Sequence, residues 1–416
     1  MKKKKCLFIV NRNFWPPNSG HEVVLFNYCK ELCDKYNYDI ILYIFDSPKN
    51  NSEIPYFIKK VIYASSINKI QKILGVIKAF YNRNPLQRAL MDSNKNQILL
   101  KSIASKSEYE LIIVDMIRLA HYIECFKNLS VKKILILEDL LSDRYQRIKQ
   151  NKNSKGNLLG YYSNTFPKFI SYILNHKLVK DKILDYESKA VEREQEKYIL
   201  QYDYCTLIAQ KDVDYINNKF NFHKAKRLAC GVDIDYFSAV SRKVDTKNNE
   251  LCFLGNMYVA ANQDSVRYIV ENILGKINHK VIFSVIGSVP DSFCKEFENN
   301  KNIRFLGRVE DIREICARCK LFLAPISYGT GVKTKIIEAM AMGIPVITNS
   351  IGAESISAIN NQDFICEDDD NILACRVDEL LSNFKLAEFI GAQGQKFVNK
   401  NFDWNIVFKA FDEMGV

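Results

Sequence analysis

No stretch of this chain approaches the roughly 18–20 consecutive apolar residues that a membrane-spanning helix needs. The opening MKKKKCLFIVNRN imitates a secretory leader, with four lysines ahead of an apolar run. CLFIV is too short for a leader core, and Asn11 and Arg12 end it, so a first buried strand is expected there. The dinucleotide fingerprint G-x-G-x-x-G is absent, which argues against a dehydrogenase. No D-x-D pair stands in a loop suited to a divalent ion, no internal repeat or low-complexity tract stands out, and no nucleic-acid motif appears. The 12 cysteines are too thinly spread over 416 residues for a disulfide framework. Cys6, Cys205 and Cys252 sit in apolar contexts, as small hydrophobes do. Cys316 and Cys319 form a C-x-x-C, but without a second ligand pair the expected role is structural rather than zinc or redox chemistry.

What is present is enough apolar material, 47%, for ordinary cores, in a chain long enough for two domains of about 150–250 residues. Charge is uneven. Residues 1–240 carry 39 Lys and Arg against 25 Asp and Glu, whereas residues 241–416 carry 20 against 23. A basic first half suits an anionic partner; the aromatic residues do not interleave with its Lys and Arg in a stacking pattern, so no nucleic acid is expected. The remaining alternatives are an anionic membrane face and a merely solvated basic surface.

The dominant pattern is strand–helix alternation, which predicts α/β architecture with parallel sheets covered by helices on both faces. Apolar runs at 5–12, 38–46, 61–66, 109–115, 132–139, 205–210 and 225–232 read as strands of a first sheet. Runs at 251–255, 280–287, 303–307, 321–325 and 345–349 read as a second. The domain expectation is 1–240, with a helical insertion about 151–202, then 241–398, then a terminal helix over 399–416 packing back on the first domain. Within the insertion, Val179, Ile183, Tyr186 and Ala190 mark one helix face. The aromatic segment with Tyr161, Tyr162, Phe166, Phe169 and Tyr172 reads either as packing on the first domain or as lying on a membrane surface, with Pro167 and frequent polar breaks favouring the former. The acidic run at 367–370 precedes an apolar helix, so capping explains it more cheaply than metal binding.

The chemistry concentrates in residues 325–347, PISYGTGVKTKIIEAMAMGIPVI. Pro325 closes a strand, and Gly329 and Gly331 leave the backbone free to approach a ligand. Lys333 and Lys335 place two cations at the start of a helix, and Gly343 and Pro345 end it. Cations beside free N–H groups at a helix N-terminus make an anion site suited to phosphate. Glu338, one turn further in, can accept two hydroxyl protons of the kind ribose offers. Such parts describe a nucleotide-sugar pocket, although solvated loop lysines and a surface carboxylate are the bland alternatives.

This stretch resembles the donor-site signature of family 4 glycosyltransferases, which have the GT-B fold: EAMAMGIPV at 338–346 fits E-A-M-A-x-G-x-P-V at every specified position. GVDIDYF at 231–237, FLGNM at 253–257, IRFLGRVEDI at 303–312 and the loop PPNSGHE at 16–22 resemble other family segments, in the family's order. The resemblance implies two facing Rossmann-like domains and retaining, metal-independent transfer of a hexose-type sugar from a nucleoside-diphosphate donor, with no cofactor. The acceptor would be a glycan or lipid-linked glycan, in bacterial surface polysaccharide biosynthesis. The implied location is the cytoplasm, with peripheral contact at an anionic membrane face. By the same resemblance, Glu338 anchors the donor ribose and Lys333 and Lys335 meet the leaving diphosphate with backbone groups near Thr330 and Gly331. Ser19 and Gly20 face the diphosphate, and Arg308 and Val309 lie near the base. Two departures stand out. Thr330 occupies the position of a first Glu, and Asn256 and Met257 occupy that of a basic pair, with no Lys or Arg before Arg267. On the acceptor side, the family's His follows the fourth strand. His121 comes a few residues late and a lone His is usually structural, so Asp115 or Arg118 can serve instead. Glu138 and Asp139 end the next strand and either reach the site or cap a helix. A sugar-nucleotide epimerase, a soluble disaccharide synthase and a non-catalytic nucleotide-sugar-binding scaffold remain as alternatives.

Overall fold

The structure, a computed structural model, describes residues 3–17, 20–46, 53–106, 108–150, 177–244, 248–328 and 331–416. Two compact units divide the chain. The first comprises Met1–Lys152, Asn157–Leu228 and Phe408–Val416; the second comprises Asn153–Gly156 and Ala229–Val407.

The first unit is built on seven strands: β1 (Lys4–Val10), β2 (Tyr38–Ile44), β3 (Ile58–Tyr63), β4 (Leu111–Asp115), β5 (Lys132–Glu138), β6 (Tyr204–Leu207) and β7 (Ala225–Arg227). They lie in the order β3-β2-β1-β4-β5-β6-β7, every pair parallel. β1, β2 and β4 are almost wholly buried, which is why they read as continuous apolar runs rather than alternating ones. The helices that cover the sheet include α1 (Gly20–Asp34), α2 (Lys69–Tyr81), α3 (Leu86–Ala89), α4 (Asn94–Lys106), α5 (Leu141–Gln150) and α6 (Lys177–Tyr198). The terminal residues Phe408 and Phe411 set their rings edge-on against Tyr28 of α1.

On α6 the buried positions are Leu184, Glu187, Ser188, Ala190, Val191, Glu194, Gln195 and Tyr198; of the expected face, Ala190 is buried while Val179, Ile183 and Tyr186 are half-buried. Four of those inward residues are polar and each has a partner: Glu187 accepts from the Leu86 N–H at 2.6 Å, Ser188 donates to the Ser142 carbonyl at 3.0 Å, Glu194 pairs with Arg88, and Gln195 accepts from Ser142. The aromatic segment Tyr161–Tyr172 lies outside the described residues.

The second unit carries β8 (Glu250–Leu254), β9 (Ile282–Ile286), β10 (Ile303–Gly307), β11 (Leu321–Leu323), β12 (Val346–Thr348) and β13 (Ile365–Cys366), in the order β10-β9-β8-β11-β12-β13 and again all parallel. Its helices include α7 (Ala260–Tyr268), α8 (Thr334–Ala341), α9 (Asp370–Ser382) and α10 (Phe384–Asn401). Cys252, Cys316 and Cys319 are fully buried thiols of its core. Asp369 caps α9 by accepting from the N–H groups of Asn371 and Ile372, so the acidic run is spent on a helix end.

Each sheet reverses its strand order once, between β1 and β4 in the first unit and between β8 and β11 in the second. Crevices at the carboxyl ends of strands beside such reversals are where open parallel sheets bind ligands.

Candidate functional site

In the second unit the reversal falls where β8 ends and Gly255 begins the turn into α7. Gly287, at φ +132°, lies so close that a Cβ there would meet the Gly255 carbonyl oxygen at 2.1 Å, and its own N–H donates to Gly307 at 2.9 Å. Only glycine fits, and the carboxyl ends of β8, β9 and β10 are thereby locked to one another by backbone alone. On the other side of the reversal, Thr348 donates to the Ala324 carbonyl at 2.7 Å, and the Asn349 amide exchanges two hydrogen bonds with the Ile326 backbone. These contacts fix where the chain leaves β11 towards α8.

Onto that frame α8 brings Lys335 and Glu338, one turn apart on one face, while Ile336, Ile337, Ala339, Met340 and Ala341 are buried. The Lys335 ammonium donates to Asn262 Oδ1 at 2.6 Å and lies 4.3 Å from the centre of the Phe253 ring. The Asn262 amide in turn donates to the Asn256 carbonyl at 2.8 Å, and the Asn256 side chain accepts from the Tyr258 N–H. One amide thus ties the turn after β8 to the cation on α8. Burial pushes the Lys335 pKa down to about 7, against partial compensation from Glu338 and with Lys333 adding to the depression. Burial pushes Glu338 up to about 7, and Lys335 opposes that rise. A cation and a carboxylate held near their neutral points are sensitive to any charge placed beside them.

Lys333 is the N-cap of α8, and no side chain caps the helix. Its ammonium turns back to the Gly331 carbonyl at 2.7 Å, and Gly331 stands at φ +72° with open space where a Cβ would be. Thr330 lies outside the described residues. Arg308 is exposed and Val309 half-buried just beyond β10. No described hydrogen bond or ion pair joins either to Lys335. Arg267 is engaged by Glu296 and Asp264 instead.

A separate cluster occupies the reversal in the first unit. His21, in the first turn of α1, lies between two carboxylates: Nε2 is 3.3 Å from Asp115 Oδ2 at the end of β4, and Nδ1 bonds Glu138 Oε1 at the end of β5. Asp115 is fully buried and neither oxygen makes a hydrogen bond of normal geometry among the described residues. Desolvation alone would lower the His21 pKa, but Asp115 and Glu138 outweigh it and raise the imidazole to about 10, so it is cationic at neutral pH. The two residues that turn the chain here, Met116 and Glu138, take left-handed backbone conformations at φ 68° and 64°. Such strain in non-glycine residues collects at functional sites.

Gly20 precedes His21 as the exposed first residue of α1, and Ser19 lies outside the described residues. Arg118 is half-buried in the field of Glu187 and Tyr145. His121 is buried 3.6 Å from Asp92 with its ring against Tyr122; burial lowers its pKa. It therefore pairs with Asp92 rather than joining His21. Asp139 is held by Arg144 at 2.5 Å. Three contributors escaped the sequence reading in their present roles: Asn262, His21, and Glu138 as its partner. The motif His-Glu after PPNSG was visible, but nothing local announces which strand ends it meets.

Residues 248–383 match the profile of the family described as glycosyl transferases group 1. Among curated proteins, the capsular polysaccharide biosynthesis glycosyltransferase CapM of Staphylococcus aureus is 23% identical over 198 residues, covering 44% of this chain and 52% of that protein. The chain spans about half the length of the curated relatives it matches. Among solved structures, sucrose-phosphate synthase from Thermosynechococcus elongatus superposes with a TM-score of 0.69 at 13% identity, covering 99% of this chain and 98% of that one. Anabaena Alr3699/HepE in complex with UDP superposes with a TM-score of 0.63 at 13% identity, covering 98% of each.

Proposed function

We propose that this chain, whose residues 248–383 match the glycosyl transferases group 1 profile and whose α/β fold is GT-B, is a retaining glycosyltransferase. It moves a hexose-type sugar from a nucleoside diphosphate to an acceptor hydroxyl. The observation that carries the reading is the half-buried Lys335, tied by Asn262 at the strand-order reversal, with Glu338 one turn on and the uncapped start of α8 beside it.

The chemistry follows from charge. As the bond between the sugar and the diphosphate breaks, negative charge grows on the departing phosphate. The ammoniums of Lys333 and Lys335 and the first N–H groups of α8 are preorganised donors for that charge, in a place where burial strengthens each interaction. Glu338 accepts the ribose hydroxyls, and Asn256 and Gly331 border the diphosphate by backbone. In this reading the diphosphate needs no divalent ion, and its own oxygen takes the acceptor proton. Arg308 and Val309 flank the base. Asp115, oriented by the His21 imidazolium, faces the acceptor, with Arg118 and His121 held behind it.

The relative CapM is named for capsular polysaccharide biosynthesis, and the HepE structure holds UDP. These support a nucleotide-sugar donor and a surface glycan product; the reading further takes the acceptor to be lipid-linked and to lie at the inner face of the plasma membrane. No described helix is long and apolar enough to cross a membrane. The test is incubation with labelled UDP-, GDP- and dTDP-sugars and a membrane extract. Label entering the lipid fraction supports the full reading; label entering only soluble product removes the lipid acceptor; no donor binding by calorimetry removes the transferase.

A further inference from the structure

Helix α2 is turned inside out relative to an ordinary surface helix. Its one buried residue is Ala79, and Gly75 lies so near α3 that a Cβ there would sit 3.0 Å from the Ala89 carbonyl. Small residues therefore make the packed face. The large ones are left mostly uncovered: Ile70, Ile73, Leu74, Ile77, Phe80 and Tyr81 are 42–87% exposed, with one face of the Phe80 ring stacked on Tyr186 of α6. Their spacing of i, i+3, i+4, i+7, i+10 and i+11 gathers them on one stripe about 120° wide. Other isolated apolar residues are exposed on the chain, but a contiguous stripe of six is not what a soluble surface tolerates without purpose.

The helix does not depend on burying that stripe to form. Asn68 accepts from the Gln71 N–H at 2.8 Å while Gln71 accepts from the Asn68 N–H at 3.1 Å, a reciprocal cap. Lys69 and Lys78 are exposed and fall on the two borders of the stripe, and Lys72 is half-buried behind it; α2 contains no acidic residue. Long lysine stems at the borders can lie along an apolar layer while their ammoniums reach anionic headgroups. A second copy of the chain is a poor occupant, because a two-fold contact would set lysine borders against lysine borders.

We propose that α2 is an interfacial helix that lays Ile70, Ile73, Leu74, Ile77, Phe80 and Tyr81 into an anionic lipid surface, with Lys69 and Lys78 at the headgroups. This rests on the lipid-acceptor reading for its purpose, and gives it a place: β2 and β3 lead directly into the helix, on the unit that holds the His21–Asp115–Glu138 cluster. Affinity combines buried apolar area with attraction to anionic lipid, so both should be separable.

The experiment is vesicle flotation of the full chain with phosphatidylcholine alone and with phosphatidylglycerol added. Wild type should float with the anionic vesicles, less so as salt rises. Ile73→Glu/Ile77→Glu should lose flotation while keeping its thermal melt, since both side chains are already exposed. Lys69→Glu/Lys78→Glu should lose the anionic preference. Absence of wild-type flotation, equal flotation of the Ile73→Glu/Ile77→Glu variant, or a wild-type dimer dissolved by that variant would each overturn the proposal. UDP binding by calorimetry without lipid, unchanged in both variants, separates failure here from failure of the transferase reading.

Discussion

Binding of a nucleoside diphosphate should draw a proton onto Lys335. In the free protein burial holds this ammonium at a pKa of about 7, far below the ordinary lysine value. A diphosphate within reach of Nζ favours the charged form and restores the pKa towards about 10.4. At pH 8 roughly nine in ten free molecules then carry neutral Lys335, so binding takes up about 0.9 proton. Over pH 7.5–9 the Kd for UDP should weaken by about tenfold per pH unit, or about 1.4 kcal/mol. The window starts above the last phosphate ionisation, near pH 6, so the phosphates contribute no change of their own.

Calorimetry at pH 8 in phosphate and in Tris reads the uptake directly, since buffers of different ionisation enthalpy shift the observed heat in proportion to protons transferred. Lys335→Arg, whose guanidinium does not titrate here, should abolish the uptake and flatten the pH profile. UDP that binds wild type with no proton uptake, or with the same uptake in Lys335→Met, would refute the reasoning. The same shifts fix the sign of stability. Lys335 binds fewer protons folded than unfolded from about pH 7 to its unfolded value, so stability rises with pH across that range. Glu338, raised to about 7, binds more protons folded than unfolded below that, so stability falls as pH rises towards 7. The pair costs the fold most near neutrality, a cost borne by an element suited to meet a ligand.

Glu338→Gln should weaken UDP binding by roughly tenfold, the worth of one charge-assisted hydrogen bond, with a smaller effect on a pyrophosphate probe that lacks ribose. Asn262→Ala should lower kcat more than it raises the donor KM, because it frees Lys335 from its aim without removing the charge; Asn262→Gln should not rescue it, whereas Asn262→Asp should raise the Lys335 pKa and shift the uptake experiment to higher pH. His21→Gln should leave donor affinity unchanged and reduce transfer. Its stability deficit should be largest below pH 6.5 and shrink as pH rises towards 10, because a raised histidine pKa stabilises the fold only while the imidazole stays protonated. Gly287→Ala should lower Tm by several degrees, since the new Cβ would collide with the Gly255 carbonyl at a backbone angle that resists any side chain.

The parallel sheets were legible because their strands are buried on both sides and so spell themselves as apolar runs: KCLFIV, LIIVD and KILIL need no partner to be recognised. Helix α8 was legible for the opposite reason, a local signature in which glycine, cations and a carboxylate stand at fixed offsets along one element. What could not be read is every feature made by side chains from distant elements. Lys335 meets Asn262 across 73 residues and His21 meets Glu138 across 117. Both meetings follow from strand order: a reversal between β1 and β4 sets α1 beside the ends of β4 and β5, and one between β8 and β11 sets α7 beside α8. Periodicity predicts strands, not their order. The inward face of α6 was hidden in another way, since Glu187, Glu194 and Gln195 look solvated in sequence and become buried only because Leu86 N–H, Arg88 and Ser142 supply partners. Polar residues in the wrong place for a pattern are thus where the sequence is least informative and the site chemistry most specific. The same holds in reverse for α2, whose apolar stripe reads as an ordinary core-facing helix until the structure shows Gly75 and Ala79 taking the inner side. If the outward stripe serves lipid, substituting Gly75 by a larger residue should disturb the packing on α3 and lower Tm, while substituting Ile77 by glutamate should leave Tm alone and change only where the protein partitions.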